Sequence, residues 1–136
     1  MARDTVLAVC ALIGLYVSGC ASLPEASTTG QIVAFEIGHS VAPTFLWAYV
    51  GDEIQWRNMR SGPVRVGLLT NIGRKDLGCA KGFSSFGMID DFVIIPPGGY
   101  ASLCLAHRGT VQFNVWFDAR NPRGAISPLA TVKISE

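Results

Sequence analysis

The chain has 136 residues, of which 49% are hydrophobic and 15% charged, with 15 Gly and 7 Pro. That length holds one domain, and the composition excludes an acidic disordered chain or a coiled coil. A net charge of +1 leaves no electrostatic footprint for nucleic acid.

Residues 1–19 read as an address. Met-Ala-Arg precedes an apolar run of 13 residues, Thr5 to Val17. A bilayer takes about 20 residues of helix, so the run is too short to span one. It fits the apolar region of a secretory signal. The segment closes on Val17-Ser18-Gly19-Cys20.

These four residues resemble the lipobox of bacterial lipoproteins, in which a branched apolar residue and two small ones precede a cysteine. The resemblance implies that the Cys20 thiol is lipidated, that residues 1–19 are cleaved away, and that the new N-terminus is acylated, with palmitate among the expected chains. Small side chains at Ser18 and Gly19 give a peptidase access to the bond. Several acyl chains at ~0.8 kcal/mol per buried CH₂ make a firm anchor. Ala21, not Asp, follows the cysteine. In lipoproteins of two-membrane bacteria this sends the protein to the outer membrane, facing the periplasm. The alternative reading of residues 1–20 is an ordinary signal peptide with an incidental cysteine.

Residues 20–30 then form the lipidated N-terminus and a tether. Ser22 to Gly30 is small, polar and punctuated by Pro and Gly, a spacer that would hold a domain off the membrane. Residues 31–136 form the domain. Strands are predicted over 31–37, 44–50, 53–58, 63–69, 92–95, 99–106, 110–118 and 129–135, each short, rich in β-branched or aromatic residues and bounded by turn formers. Alternation assigns the faces. Ile54 and Trp56 point one way, and Glu53, Gln55 and Arg57 the other. Val64, Val66 and Leu68 form a core stripe, as do Val111, Phe113, Val115 and Phe117, and Val132 with Ile134. This predicts an all-β, two-sheet Greek-key sandwich of antiparallel strands. Segment 71–91 has no clean period and reads as one long connection with room for a helical turn. It carries Phe83, Phe86 and Met88, which either cap the open end of the sandwich or form a partner-binding surface.

Pro43 to Asn58 (PTFLWAYVGDEIQWRN) resembles the second and third strands of the cupredoxins. Ile95 to Val115 resembles their penultimate hairpin, and Arg123 to Ile126 their last glycine turn. The resemblance covers most of 31–136 and implies a cupredoxin-like fold. Blue-copper members of the family hold the metal with two His, a Cys and usually a Met. The first His would fall at Val64, the Cys at Val115, and the remaining ligands between Asp118 and Gly124. This sequence has none of them there, so no copper and no electron transfer is carried onto these positions.

Another metal set is conceivable. Cys104 and His107 make a C-x-x-H, to which His39 and Met88 are the remaining candidates. The competing reading of Cys104 is a disulfide. With Cys10 cleaved away and Cys20 lipidated, Cys79 and Cys104 are the two thiols left in an oxidising compartment. A bridge would close a loop of about 25 residues, worth roughly 3–4 kcal/mol.

No catalytic constellation is visible. Neither histidine has a nucleophile in recognisable context, and no Gly-rich phosphate loop opens a helix. Arg57, Arg60, Arg120 and Arg123 flank the two loops where cupredoxins hold their metal. They are either scattered solubilising charge or an anion or acidic-partner surface. The expectation is therefore a non-enzymatic, membrane-anchored binding or structural module without a cofactor. The alternatives are a copper protein with the non-standard ligand set and an accessory subunit of an envelope complex.

Overall fold

A computed structural model describes residues 22–136. The signal segment, the lipobox and Cys20 lie outside these residues. Strands β1 (Ile32–Ile37), β2 (Val41–Ala42), β3 (Phe45–Tyr49), β4 (Glu53–Asn58) and β5 (Val64–Leu68) lead to a short 3-10 turn, Arg74–Asp76. Then follow β6 (Leu77–Lys81), β7 (Ser84–Ser85), β8 (Met88–Ile89), β9 (Phe92–Ile95), β10 (Tyr100–Leu105), β11 (Gly109–Trp116) and β12 (Ala130–Ser135). One sheet has the order β2-β1-β4-β10-β6, and the other β3-β12-β11-β5-β9. They stack as an all-β, two-sheet Greek-key sandwich, cupredoxin-like in architecture. No helix among the described residues is long and apolar enough to cross a membrane.

The alternating stripes meet between the sheets. Ile54, Trp56, Val64, Val66, Val111, Phe113, Val115, Val132 and Ile134 are all buried. Trp56 is the hub, with its ring 6.2 Å from Phe35 and 5.4 Å from both Phe83 and Phe113. The Phe35 ring is stacked and the Phe83 and Phe113 rings are edge-on, arrangements that add aromatic attraction to their burial.

Three features depart from the sequence reading. First, the sheets are mixed. β1 runs parallel to β4, pairing Ile37 with Asn58, and β12 runs parallel to β3. Alternation reports which face a side chain takes but not strand direction. Second, the connection over 71–91 is partly built. β6 pairs with β10, and β7 with β8 in a small hairpin. Phe83 enters the core, whereas Phe86 and Met88 stay exposed. Third, Glu53 and Gln55 on the outer face are only 5% and 6% exposed. Gln55 Nε2 donates to Glu53 Oε2 at 2.8 Å, and Ser102 Oγ donates to Glu53 Oε1 at 3.2 Å, which offsets their desolvation.

The segment expected as a tether is docked. Ala80 N–H donates to Pro24 O at 2.9 Å, Ser27 Oγ to Gly51 O at 2.6 Å, and Thr29 Oγ1 to Asp52 Oδ1 at 3.0 Å. Leu23 packs on the core. The receiving turn is Tyr49 to Asp52, closed by Asp52 N–H to Tyr49 O at 3.0 Å, with Gly51 at φ +89°. Glycine takes that left-handed conformation without a Cβ clash. The segment thus runs from β6, at the edge of its sheet, to β1.

Candidate functional site

At one end of the sandwich four chain passages converge: the exit of β4, the entry of β5, the β9–β10 turn and the exit of β11. Asn58 ties them together. It is fully buried, and its Nδ2 donates to Gly62 O at 2.8 Å and Ile95 O at 3.0 Å. Its Oδ1 accepts from Arg60 N–H at 2.9 Å, and its backbone exchanges hydrogen bonds of 2.9 Å with Gly98 and Gly99. Replacing Asn58 with Ala removes the side-chain partners of the buried Ile95 O and of the part-buried Gly62 O and Arg60 N–H. We expect a loss of about 2–3 kcal/mol in unfolding free energy, read by urea titration, with the Arg60 loop loosened.

Arg60 is held in place at this end. One Nη donates to Gly38 O at 2.9 Å, and the guanidinium lies 5.2 Å from the centre of the Phe117 ring. A cation over an aromatic face is attracted by the ring quadrupole. Loop 118–125 folds back alongside, with Ala119 N–H donating to Pro63 O at 3.0 Å. Arg120, on this loop, lies against the β4–β5 connection at Gly62. A Cβ on Gly62 would stand 3.6 Å from its Nη2, and its Nε is 3.4 Å from Asp118 Oδ1. Arg123 is exposed on the same loop. Arg60, Arg120 and Arg123 are therefore brought to one end. Arg57 is not among them, because its Nε donates to Gln55 Oε1 at 2.9 Å along the outer face of the sheet.

The non-standard metal set is not assembled. Cys104 is bridged to Cys79 across β10 and β6, with Cα atoms 4.7 Å apart, so its sulfur is engaged. His39 shares a groove with Met59 and Arg60 at the Asn58 end. His107 lies beyond Leu105, near Thr70 and Asp76, at the other end of the strands. Met88 is exposed on β8. Among the described residues, no group of three or more His, Cys, Asp or Glu is placed to hold a metal ion. Sequence reasoning missed the closeness of His39 to Met59 and Arg60, which follows from the parallel β1–β4 pairing that sets Ile37 beside Asn58.

No family model matches this chain, and no curated protein does. Solved structures do. A Cu(I) form of an amicyanin variant superimposes with a TM-score of 0.51 at 15% identity, covering 85% of this chain and 95% of that one. A second Cu(I) amicyanin variant gives 0.50 at 17% identity over the same shares. A reduced amicyanin variant gives 0.50 at 15% identity, over 82% and 91%. At these identities the likeness shows the fold, and the fold is cupredoxin-like.

The family resemblance in the sequence implies a type 1 copper, which needs imidazole and thiolate donors. Val64 and Val115, where the sequence resemblance would put two of the ligands, are fully buried apolar side chains in the core. The loop aligned with the others presents Asp118, Arg120 and Arg123 and contains no His, Cys or Met. Arg60 and Arg120 add positive charge at this end of the sandwich, which disfavours a cation there. The residues present do not fit the copper.

Proposed function

We propose that the protein is a lipid-anchored extracytoplasmic binding module that uses the cupredoxin-like sandwich without type 1 copper. It presents the Asn58 end to an acidic surface of an envelope partner and is not an enzyme. The observation that carries this reading is the convergence of Arg60, Arg120 and Arg123 at the end where the fold would house a metal. Arg60 is already oriented by Asn58, Gly38 and Phe117, so less rotamer entropy is lost when it engages a carboxylate. In this reading the lipobox at Cys20 supplies the anchor, and Ala21 after it favours the outer membrane, facing the periplasm.

The test uses the full chain expressed in a two-membrane bacterium. The protein fractionates with membranes, and Cys20→Ser releases it to the soluble fraction. Purified and equilibrated with Cu(II), it takes up no stoichiometric copper and shows no intense visible band of a copper–thiolate bond. Crosslinking in intact envelopes captures a partner, and charge reversal at Arg60 and Arg120 together abolishes the capture. Stoichiometric copper, or capture indifferent to the charge reversal, overturns the reading.

A further inference from the structure

Two segments far apart in sequence face each other across an open groove of ≈ 450 Å³. Residues 22–25 form one wall, and Phe86, Gly87 and Ile89 of the β7–β8 hairpin belong to the other, with Arg74 beside them. Cys20 stands two residues ahead of Ser22. At about 3.3–3.6 Å per residue, its Cα lies within about 7 Å of the Ser22 Cα. Pro24 is hydrogen-bonded to β6 and Leu23 is packed on the core. An anchor at Cys20 would therefore be held close to this groove.

The hairpin is unusual in its turn. Its two central residues, Phe86 and Gly87, have φ of +50° and +78°. Both are left-handed, as in a type I′ turn, which Asn-Gly fills with least strain. A bulky aromatic residue in that conformation strains the backbone. Phe86 is 105% exposed and Met88 is 72% exposed, so neither gains burial from the domain in return. Charges near the hairpin and groove have both signs, Arg74 and Lys75 against Glu25, Asp90 and Asp91. Headgroup charge is therefore not the attraction, and apolar burial is.

We infer that Phe86 and Met88 insert into the bilayer leaflet that holds the Cys20 lipid, seating the domain on the membrane. This rests on the lipid-anchor reading of Cys20. Aromatic side chains favour the headgroup level of a bilayer, and the flexible Met side chain adapts to irregular apolar surroundings. The seating also sets an orientation. Arg74 leads into β6, whose Leu77 pairs with Leu105, at the Glu53 end of β4. The Asn58 end of β4 is about 17 Å further along the strand, directed away from the membrane.

The test reconstitutes the full lipidated chain, carrying Phe86→Trp, into phosphatidylcholine vesicles with or without brominated acyl chains. The expected result is that the added Trp emission falls by about half or more in brominated vesicles, independent of salt, while a Trp placed at exposed Ser61 is unaffected. Thermal unfolding of both variants matches the parent, which keeps a folding defect from mimicking either outcome. Vesicle flotation tests the anchor separately. Protein absent from the floated fraction overturns the anchor reading and the seating with it. Protein that floats with unquenched Phe86→Trp emission overturns the seating alone. A blue shift without bromine quenching also overturns it, because that is the signature of a protein partner or a second copy covering the hairpin.

Discussion

Trp56→Ala lowers the unfolding free energy by about 4 kcal/mol, whereas Trp56→Phe costs less than about 1.5 kcal/mol. The contrast follows from the site. Trp56 is fully buried and is the largest side chain in the core, in contact with Phe35, Phe83 and Phe113. Truncation removes three aromatic partners and opens a void between two sheets that are held apart by their other side chains. Its indole Nε1 is buried without a hydrogen-bond partner. Phe keeps most of the packing and removes an unpaired N–H, so one loss is offset by one gain. Urea titrations of the three proteins check this, and equal losses for the Ala and Phe variants would refute the packing account.

The second large effect is that of the disulfide. Replacing Cys79 and Cys104 together with Ala removes about 3.5 kcal/mol, as expected for freeing a closed loop of this length. The melting temperature falls by roughly 10–20 °C. Both half-cystines are buried, and the bond staples β6 to β10 across a sequence separation of 25. The denaturant slope rises in the double variant, because the unfolded chain is no longer held compact. An unchanged slope with a lowered midpoint would place the loss in the native packing instead.

How much of this was readable beforehand depended on the residues concerned. The bounds of 53–58 and 92–95 match β4 and β9 because Gly51-Asp52 and Pro96 punctuate the chain next to them. β6 was hidden, since Leu-Gly-Cys-Ala-Lys has little β propensity of its own. It is a strand because β10 and the disulfide hold it there. The β7–β8 hairpin was hidden too, because Phe-Gly is not a usual turn signal. At the candidate site, alternation had already set Arg57 on the face of Glu53 and Gln55. That placement, and not its grouping with Arg60, is the one the structure shows. The contacts of Arg60 with Gly38 and Phe117 join segments 22 and 57 residues away, distances no local pattern reports.

The docked N-terminal segment has a mechanical consequence. A pull on the chain ahead of residue 22 does not meet a slack spacer. It loads the Pro24–Ala80 hydrogen bond on β6, in line with a strand that would otherwise peel from the sheet one bond at a time. Cys79, the neighbour of Ala80, is covalently joined to β10. Force entering there passes through a covalent rivet into β10 and, through its pairing, β4. The Cys79–Cys104 bond thus resists unzipping from the end at which this chain would be tugged.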